Sequence, residues 1–179
     1  MKSLKILSLF TFILLFGCAA TIDIISEYDE EVDFNYYETF MLCLDDFQVD
    51  NTKYPNLDNT YVRELIAGEV DKNMAALGYR TNVFSPQLQA GFKISITEKE
   101  TFVKNCELDN EFDYWRTCTI NAVIYTKETL ILYVSDIEKN QVIWQATIPC
   151  ELDKSKPALR KHIKTLVDQL FLEFPEVSK

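Results

Sequence analysis

The sequence predicts an α+β domain, in which an antiparallel β-sheet of about five to six strands carries two amphipathic helices packed on one face. Short segments that alternate apolar and polar residues follow one another through polar turns, as antiparallel strands do. Two longer segments instead repeat apolar residues at helical spacing and end at capping residues. Two helices and a meander of strands form layers that bury their apolar faces against each other.

The predicted strands account for most of the alternating segments. The segment 129–134 is apolar on both faces, as expected of a central buried strand. In the last strand Trp144 belongs to the alternating core-facing set, so we expect it in the core. The strand segments are 21–28, 39–44 (the end of an apolar stretch from residue 34), 92–97, 120–124, 129–134 and 142–148.

The two predicted helices have clear boundaries. The first begins at Asp58 or Asn59, either of which is a good N-cap, and ends before Gly78, where a left-handed backbone suits glycine. The second spans about 157–174 and is stopped by Pro175. Their apolar stripes are Val62, Leu65, Ile66, Val70, Met74 and Leu77 in the first, and Leu159, Ile163, Leu166, Val167, Leu170, Phe171 and Phe174 in the second.

The N-terminus has the three parts of a signal peptide. Lys2 and Lys5 precede an apolar run over residues 6–16, which is too short to span a bilayer. The ending Leu15-Phe16-Gly17-Cys18 resembles the lipobox of bacterial lipoprotein precursors. That resemblance implies removal of residues 1–17 and a diacylglycerol and N-acyl lipid on Cys18. The alternative is an ordinary secretory signal that ends in cysteine.

Lipidation at Cys18 would make the chain anchored rather than membrane-spanning. Residues 18–20 then form a short tether to a single domain over 21–175. Ala19, rather than Asp, follows the cysteine, which favours the outer membrane facing the periplasm. The expected location is therefore the cell envelope.

Charge and composition exclude several function classes. The full chain has a net charge of −10, and removal of residues 1–17 leaves 16 basic against 28 acidic residues, or −12. Nucleic-acid binding is not expected, because phosphates require a basic patch. With 4 glycines and no glycine-rich run, the chain has no phosphate-binding loop, so nucleotide binding is not expected either.

After Cys18, four cysteines remain, an even number that suggests disulfides in an oxidising compartment. Four cysteines allow three pairings, and the sequence alone does not choose among them. Cys106 and Cys118 flank an acidic loop between two strands and are natural partners, which leaves Cys43 with Cys150. A zinc site is the alternative, but no CxxC spacing supports it, so no metal is predicted.

No catalytic residue is predicted, and an enzyme is not expected. His162, the single histidine, has no nucleophile or orienting acid placed near it by a motif. The acidic residues lack the spacing of an EF-hand loop and fit solvated turns better than a metal site. They are Asp29, Glu30, Glu31, Asp33, Asp45 and Asp46.

The loop 107–117 is the candidate for partner binding. Phe112, Tyr114 and Trp115 would form a protein-binding tip, because Tyr and Trp dominate binding hot spots. The alternative is that these aromatic side chains fold back as a lid on the core.

Four segments resemble the DUF4136 family of bacterial lipoproteins, whose biochemical role is not established. They are Asp33-Phe34-Asn35-Tyr36-Tyr37-Glu38-Thr39-Phe40, the helix ending in Leu77-Gly78-Tyr79, Thr129 to Asp136 followed by Val142-Ile143-Trp144, and Phe174-Pro175. Two positions differ from the family's pattern. Glu128 stands where the family usually has glycine, and Pro86-Gln87-Leu88 lacks the family's usual Pro-Asp. The resemblance implies an envelope location and the fold, and no particular partner.

The expected function is that of a non-enzymatic binding or accessory module at a membrane, with an envelope protein as its partner and no cofactor besides the lipid on Cys18. The aromatic content, 12 Phe, 9 Tyr and 2 Trp, suggests an alternative, which is a carrier of a small apolar ligand held between helices and sheet.

Overall fold

The computed structural model describes residues 23–49, 53–107 and 117–177, with side chains for all of them except 105–107 and 117–119. The predicted signal peptide and the predicted lipidation site, Cys18, lie outside these residues. The predicted tip residues Phe112, Tyr114 and Trp115 lie outside them as well.

Six strands form one sheet in the order β1-β6-β5-β4-β2-β3. β4, β5 and β6 are the antiparallel meander, and β1 adds antiparallel to β6. β2 runs parallel to both of its neighbours, because the chain crosses back through a helix between β2 and β3. The strands are β1 (Ile25–Tyr28), β2 (Thr39–Leu42), β3 (Arg80–Thr81), β4 (Leu88–Glu107), β5 (Thr117–Asp136) and β6 (Gln141–Cys150), and the helices are α1 (Thr60–Ala76) and α2 (Lys156–Phe171).

The predicted α+β class is confirmed, and the sheet is mixed rather than purely antiparallel. Both helices cover the face that presents Phe92, Leu132 and Ala146, which are register neighbours on β4, β5 and β6. Burial of one large apolar side chain contributes roughly 1.5–3 kcal/mol. This face therefore holds the two layers together.

Helix α1 forms where the sequence predicts it. Asn59 is the N-cap, and its side chain accepts a hydrogen bond from the Val62 backbone N–H at 3.2 Å. Gly78 follows the helix with a φ of 92°, the left-handed conformation that glycine adopts without strain. The buried stripe contains Val62, Ile66, Val70 and Met74, which confirms that the stripe faces the core.

Helix α2 ends at Phe171, earlier than the predicted residue 174, yet Phe174 is buried. The chain turns after Phe171 and brings the Phe174 ring to 4.9 Å from the Trp144 ring. The Trp144 indole N–H donates to the Glu173 carbonyl at 3.3 Å. Trp144 is 1% exposed, so the prediction that it belongs to the core is confirmed.

On the face of the sheet opposite the helices, Asp46 forms a polar contact beside Gly91. The Asp46 carboxylate accepts hydrogen bonds from the Phe92 backbone N–H at 2.8 Å and from the Tyr133 hydroxyl at 2.7 Å. Arg63 donates to the Asp46 carbonyl at 2.6 Å. Asp46 is thus a structural residue, whereas the sequence suggested that it belongs to a solvated turn.

Arg63 also forms a buried pair with Asp58. Its guanidinium donates to both carboxylate oxygens of Asp58, at 2.6 and 2.7 Å. Both side chains are nearly inaccessible, so each charge depends on the other for compensation. The pair and the Asp46 contact together tie the start of α1 to the sheet.

Gly91→Ala should destabilise the domain, because a Cβ there would lie 2.3 Å from both the Asp46 carboxylate and the Tyr133 ring. We expect the free energy of unfolding to fall by about 1–3 kcal/mol, the usual cost of overpacking. Gly68→Ala is the matched control, since no atom lies within 4 Å of a Cβ at that position in α1. It should raise the free energy of unfolding by about 0.5–1 kcal/mol. Urea unfolding of both variants checks this, and equal effects would contradict it.

Candidate functional site

The two longest strands extend beyond the rest of the sheet. Pairing of β5 with β6 ends at Glu128 and Cys150, whereas pairing of β4 with β5 continues to Glu107 and Thr117. Residues 97–107 and 117–127 therefore form a two-stranded ribbon, called here the arm. At about 3.3 Å per residue the arm is roughly 33 Å long.

The arm was only partly predicted. The sequence indicates strands at 92–97, 120–124 and 129–134, but the segments 120–124 and 129–134 belong to one continuous strand. Neither residues 92–107 nor residues 117–136 contain a glycine or proline, so nothing interrupts the extended backbone.

Both faces of the arm expose apolar side chains. On the face that continues the helix-covered side, Phe102, Ile120 and Ile124 are 68–69% exposed. The opposite face exposes Val103, Val123 and Tyr125. A group of exposed apolar side chains of this kind marks an interaction surface more often than isolated apolar residues do.

Cys106 and Cys118 are direct register partners near the end of the arm. Antiparallel partners have Cα atoms about 4.5–5.5 Å apart, within the range of roughly 4.4–6.8 Å that a disulfide spans. The backbone is therefore compatible with the predicted Cys106–Cys118 bond, which stays a prediction.

The predicted Cys43–Cys150 disulfide is wrong, since both cysteines are free thiols. The Cys43 backbone N–H donates to Ala90 on β4, and Cys150 pairs with Glu128 on β5. β4 and β5 lie between the strands that carry the two cysteines. Strands are spaced about 4.8 Å apart, so this separation exceeds the reach of a disulfide.

A groove of about 490 Å³ opens at the base of the arm. His162 lies in it half-buried, and its Nε2 atom has no hydrogen-bond partner among the described residues. Burial, and then the charge of Lys154, lower the pKa of His162, so the imidazole is neutral at pH 7. The groove is lined by Asp23, Tyr125, Thr126, Lys127, Glu128, Pro149, Cys150, Glu151, His162 and Leu166.

Cys150 shares this groove with His162, but it is not an activated nucleophile. Burial raises the pKa of the Cys150 thiol to about 12, so almost no thiolate exists at neutral pH. A Cys-His nucleophile would require the opposite shift.

A second cleft, of about 710 Å³, lies at the other end of β5. There the Tyr37 hydroxyl donates to the buried Asp136 carboxylate at 2.7 Å. Burial alone would raise the pKa of Asp136, but hydrogen bonds from the Lys139 backbone N–H and from Tyr37 hold it below its ordinary value. Asp136 is thus an ionised residue that fastens the turn after β5 to the segment before β2.

The acidic residues near the N-terminus cap turns. Asp29 accepts from the Glu31 backbone N–H at 3.0 Å, and Asp33 accepts from the Asn35 backbone N–H at 2.9 Å. Within the described part of the chain, no three His, Cys, Asp or Glu side chains are arranged to hold a metal ion. Neither described helix is long and apolar enough to cross a bilayer.

The fold is a two-layer α+β domain with a projecting β-arm. The chain belongs to DUF4136, a domain of unknown function, whose family profile matches residues 24–176. No curated protein matches the chain.

Two solved structures have a similar fold. A DUF4136 family protein from Bacteroides thetaiotaomicron is 15% identical, with a TM-score of 0.54, over 87% of this chain and 96% of that one. A PDZ domain protein from Parabacteroides distasonis is 10% identical, also with a TM-score of 0.54, over 88% of this chain. The chain spans only 36% of that protein's length.

The segments that carry the family resemblance meet in the structure. The Tyr79 hydroxyl donates to the Phe34 carbonyl at 3.0 Å, and the Phe34 ring lies 5.2 Å from the Phe174 ring. Tyr37 and Asp136, from two further segments, form the hydrogen bond described above. The resembling residues therefore build the end of the sheet opposite the arm, and they account for the fold rather than for the arm.

The cysteines should differ in reactivity toward a thiol-alkylating reagent at neutral pH. Cys43 should react first, because Cys150 is buried and its pKa is raised to about 12. The Cys150 rate should rise as the pH approaches 12, or on unfolding. Cys106 and Cys118 should resist alkylation until a reductant is added. Peptide mass spectrometry checks all four, and alkylation of Cys106 without reductant would exclude the disulfide.

Proposed function

We propose that the protein is a lipid-anchored envelope lipoprotein that works as a non-enzymatic accessory module and binds another envelope protein through its arm. The observation that carries the proposal is the row of exposed apolar side chains, Phe102, Ile120 and Ile124, along one face of the arm. Support for the anchor comes from the lipobox-like ending at Cys18.

The tether length constrains how such a domain would lie on its membrane. Asp23 lines the groove at the base of the arm, near the middle of β5. Asp23 is the fifth residue after Cys18, and an extended chain over those five steps reaches at most about 18 Å. β5 itself is 20 residues long, or roughly 65 Å.

A rod of that length, held near its middle by so short a tether, cannot stand upright on the membrane without one end entering the bilayer. The arm would therefore lie along the membrane surface. The sequence that joins the two strands of the arm is acidic, with Glu107, Asp109, Glu111 and Asp113, which argues against insertion into an anionic bilayer. A protein at the same membrane suits this orientation better than lipid hydrocarbon.

The alternative function is a carrier of a small apolar ligand held between helices and sheet. Residues of both layers, such as Phe92, Leu132 and Ile163, are at most 2% exposed and belong to one packed core. The two clefts described above lie instead at the base of the arm and at the far end of β5, and charged side chains line both. These observations favour the docking function.

Photo-crosslinking in cells tests the docking function. A photoreactive residue at Ile124 should capture one envelope protein repeatedly, whereas the same residue at Ala75, exposed on α1, should not. Equal capture from both positions, or none from Ile124, would argue against the arm as the docking surface.

The anchor has its own test. Cys18→Ala should move the protein from the membrane fraction to the soluble fraction and abolish the capture from Ile124. Mass spectrometry of the wild-type N-terminal peptide should show a lipidated Cys18. An unmodified N-terminus, or a Cys18→Ala variant that stays membrane-bound, would contradict the anchor.

A further inference from the structure

Among the described residues, none pairs with the outer edge of β5 in the arm, where side chains such as Ile120 and Ile124 are exposed. Beyond Glu128 the described part of β6 no longer pairs with it. Residues 117–126, Thr-Cys-Thr-Ile-Asn-Ala-Val-Ile-Tyr-Thr, contain no charged residue and no proline, in a chain that is 26% charged. Natural proteins usually protect free strand edges with charges, proline or bulges, because an open edge pairs with other strands.

The other edge of the same ribbon is protected. In residues 97–107, β4 carries Glu98, Lys99, Glu100, Lys104 and Glu107. Both edges belong to one ribbon with an uninterrupted register, so the difference between them comes from the sequence alone. This difference in charged residues makes the β5 edge the one that is suited to pairing with another strand.

A two-stranded ribbon is also marginally stable by itself, whereas three or more strands with an apolar face are stable in water. We propose that the β5 edge pairs antiparallel with the β5 edge of a second copy of this chain, so that two arms form a four-stranded sheet. The pairing is centred on Ala122.

With Ala122 at the centre of the pairing, the β5 strand is complementary to the β5 strand of the second copy. Ala122 lies opposite Ala122 of the second copy, and Ile120 lies opposite Ile124 in both directions. These residues share the face that also exposes Phe102. Apolar and β-branched cross-strand pairs stabilise a sheet, and no like charges oppose each other over residues 118–126. Self-complementarity of this kind is the mark of a two-fold interface.

The acidic bodies of the two domains lie far from each other in this pairing. In the centred register the bodies lie at opposite ends of the paired arms, roughly 40 Å apart. Exposed charges at that distance are screened, since the Debye length is about 8 Å at physiological ionic strength.

The pairing extends the proposed function. It rests on that function in one respect, because both require the arm to be an interaction surface. The two-fold axis is perpendicular to the paired arms and keeps both N-termini on equivalent sides. Two lipid anchors can then enter one membrane while the arms lie along it. The apolar faces of both arms join into one larger surface.

Disulfide trapping of the full mature protein tests the pairing. Ala122→Cys should give an interchain disulfide on mild oxidation, because cross-strand partners at the two-fold axis have Cα atoms about 4.5–5.5 Å apart. Thr101→Cys, on the protected β4 strand of the same ribbon, is the matched control and should give only the level of dimer that the wild type gives. Equal trapping of both variants would overturn the proposal.

Sedimentation of the purified protein in detergent gives a second readout. The wild type and Thr101→Lys should sediment as dimers, and Ala122→Lys should sediment as a monomer with an unchanged circular dichroism spectrum, since two lysines would then face each other. A monomeric wild type would overturn the pairing. If that monomer still captures an envelope protein from Ile124, the docking function stands and only the pairing fails. If the wild type is a dimer and Ile124 captures only a second copy of this chain, the docking function fails and the pairing stands.

Discussion

The antiparallel pairing of β4 with β5 is the constraint on which the rest of the structure depends. Twenty register pairs join the two strands without interruption, from Leu88–Asp136 to Glu107–Thr117. At one end of this ladder β2 and β6 add on either side, and the helices cover one face. At the other end the ladder continues alone as the arm. One hairpin thus supplies both the centre of the core and the exposed surface that we propose for binding.

The change from core to arm follows from the sequence of the two strands. Between Ala90 and Ile96 every second residue of β4 faces the helices and is apolar, whereas Glu98 and Glu100 occupy the next equivalent positions. Carboxylates are costly to bury without partners, so the covered region ends there. Glu98 instead accepts from Lys53 at 2.9 Å and from the Tyr54 hydroxyl at 2.8 Å, on the loop before α1.

Much of the fold could be predicted from periodicity and capping. Asn59, Gly78 and Trp144 occupy the predicted positions because local geometry or strand alternation determines each of them. The parallel pairs of β2 were not predicted, since pairing between distant strands leaves no mark in a short window of sequence. Asp46 was misjudged for a similar reason: its hydrogen bonds are with Phe92 and Tyr133, far away in the chain.

The candidate site was predicted less well than the fold. The sequence drew attention to the loop between Cys106 and Cys118, but the exposure of Ile120 and Ile124 is visible only once β6 is known to end at Cys150. Alternating apolar residues predict a strand with one buried face, and they do not reveal that no helix covers it. The uncharged run over residues 117–126 was the available sequence signal of an open strand edge. It can be interpreted in that way only once the strand is known to lie at an edge of the sheet.

The distance between spin labels on Lys93→Cys and Val103→Cys tests most directly that the arm continues straight from the sheet. Both positions lie on β4 and on the same face, and Cys43 and Cys150 would be replaced by alanine to keep the labelling specific. In the membrane-bound protein, diluted with an excess of unlabelled protein so that only labels on the same chain are measured, we expect one narrow distribution near 33 Å, which corresponds to about ten residues of extended strand. A broad or markedly shorter distribution would mean that the arm folds back on the domain, and it would contradict the straight continuation of β4 and β5.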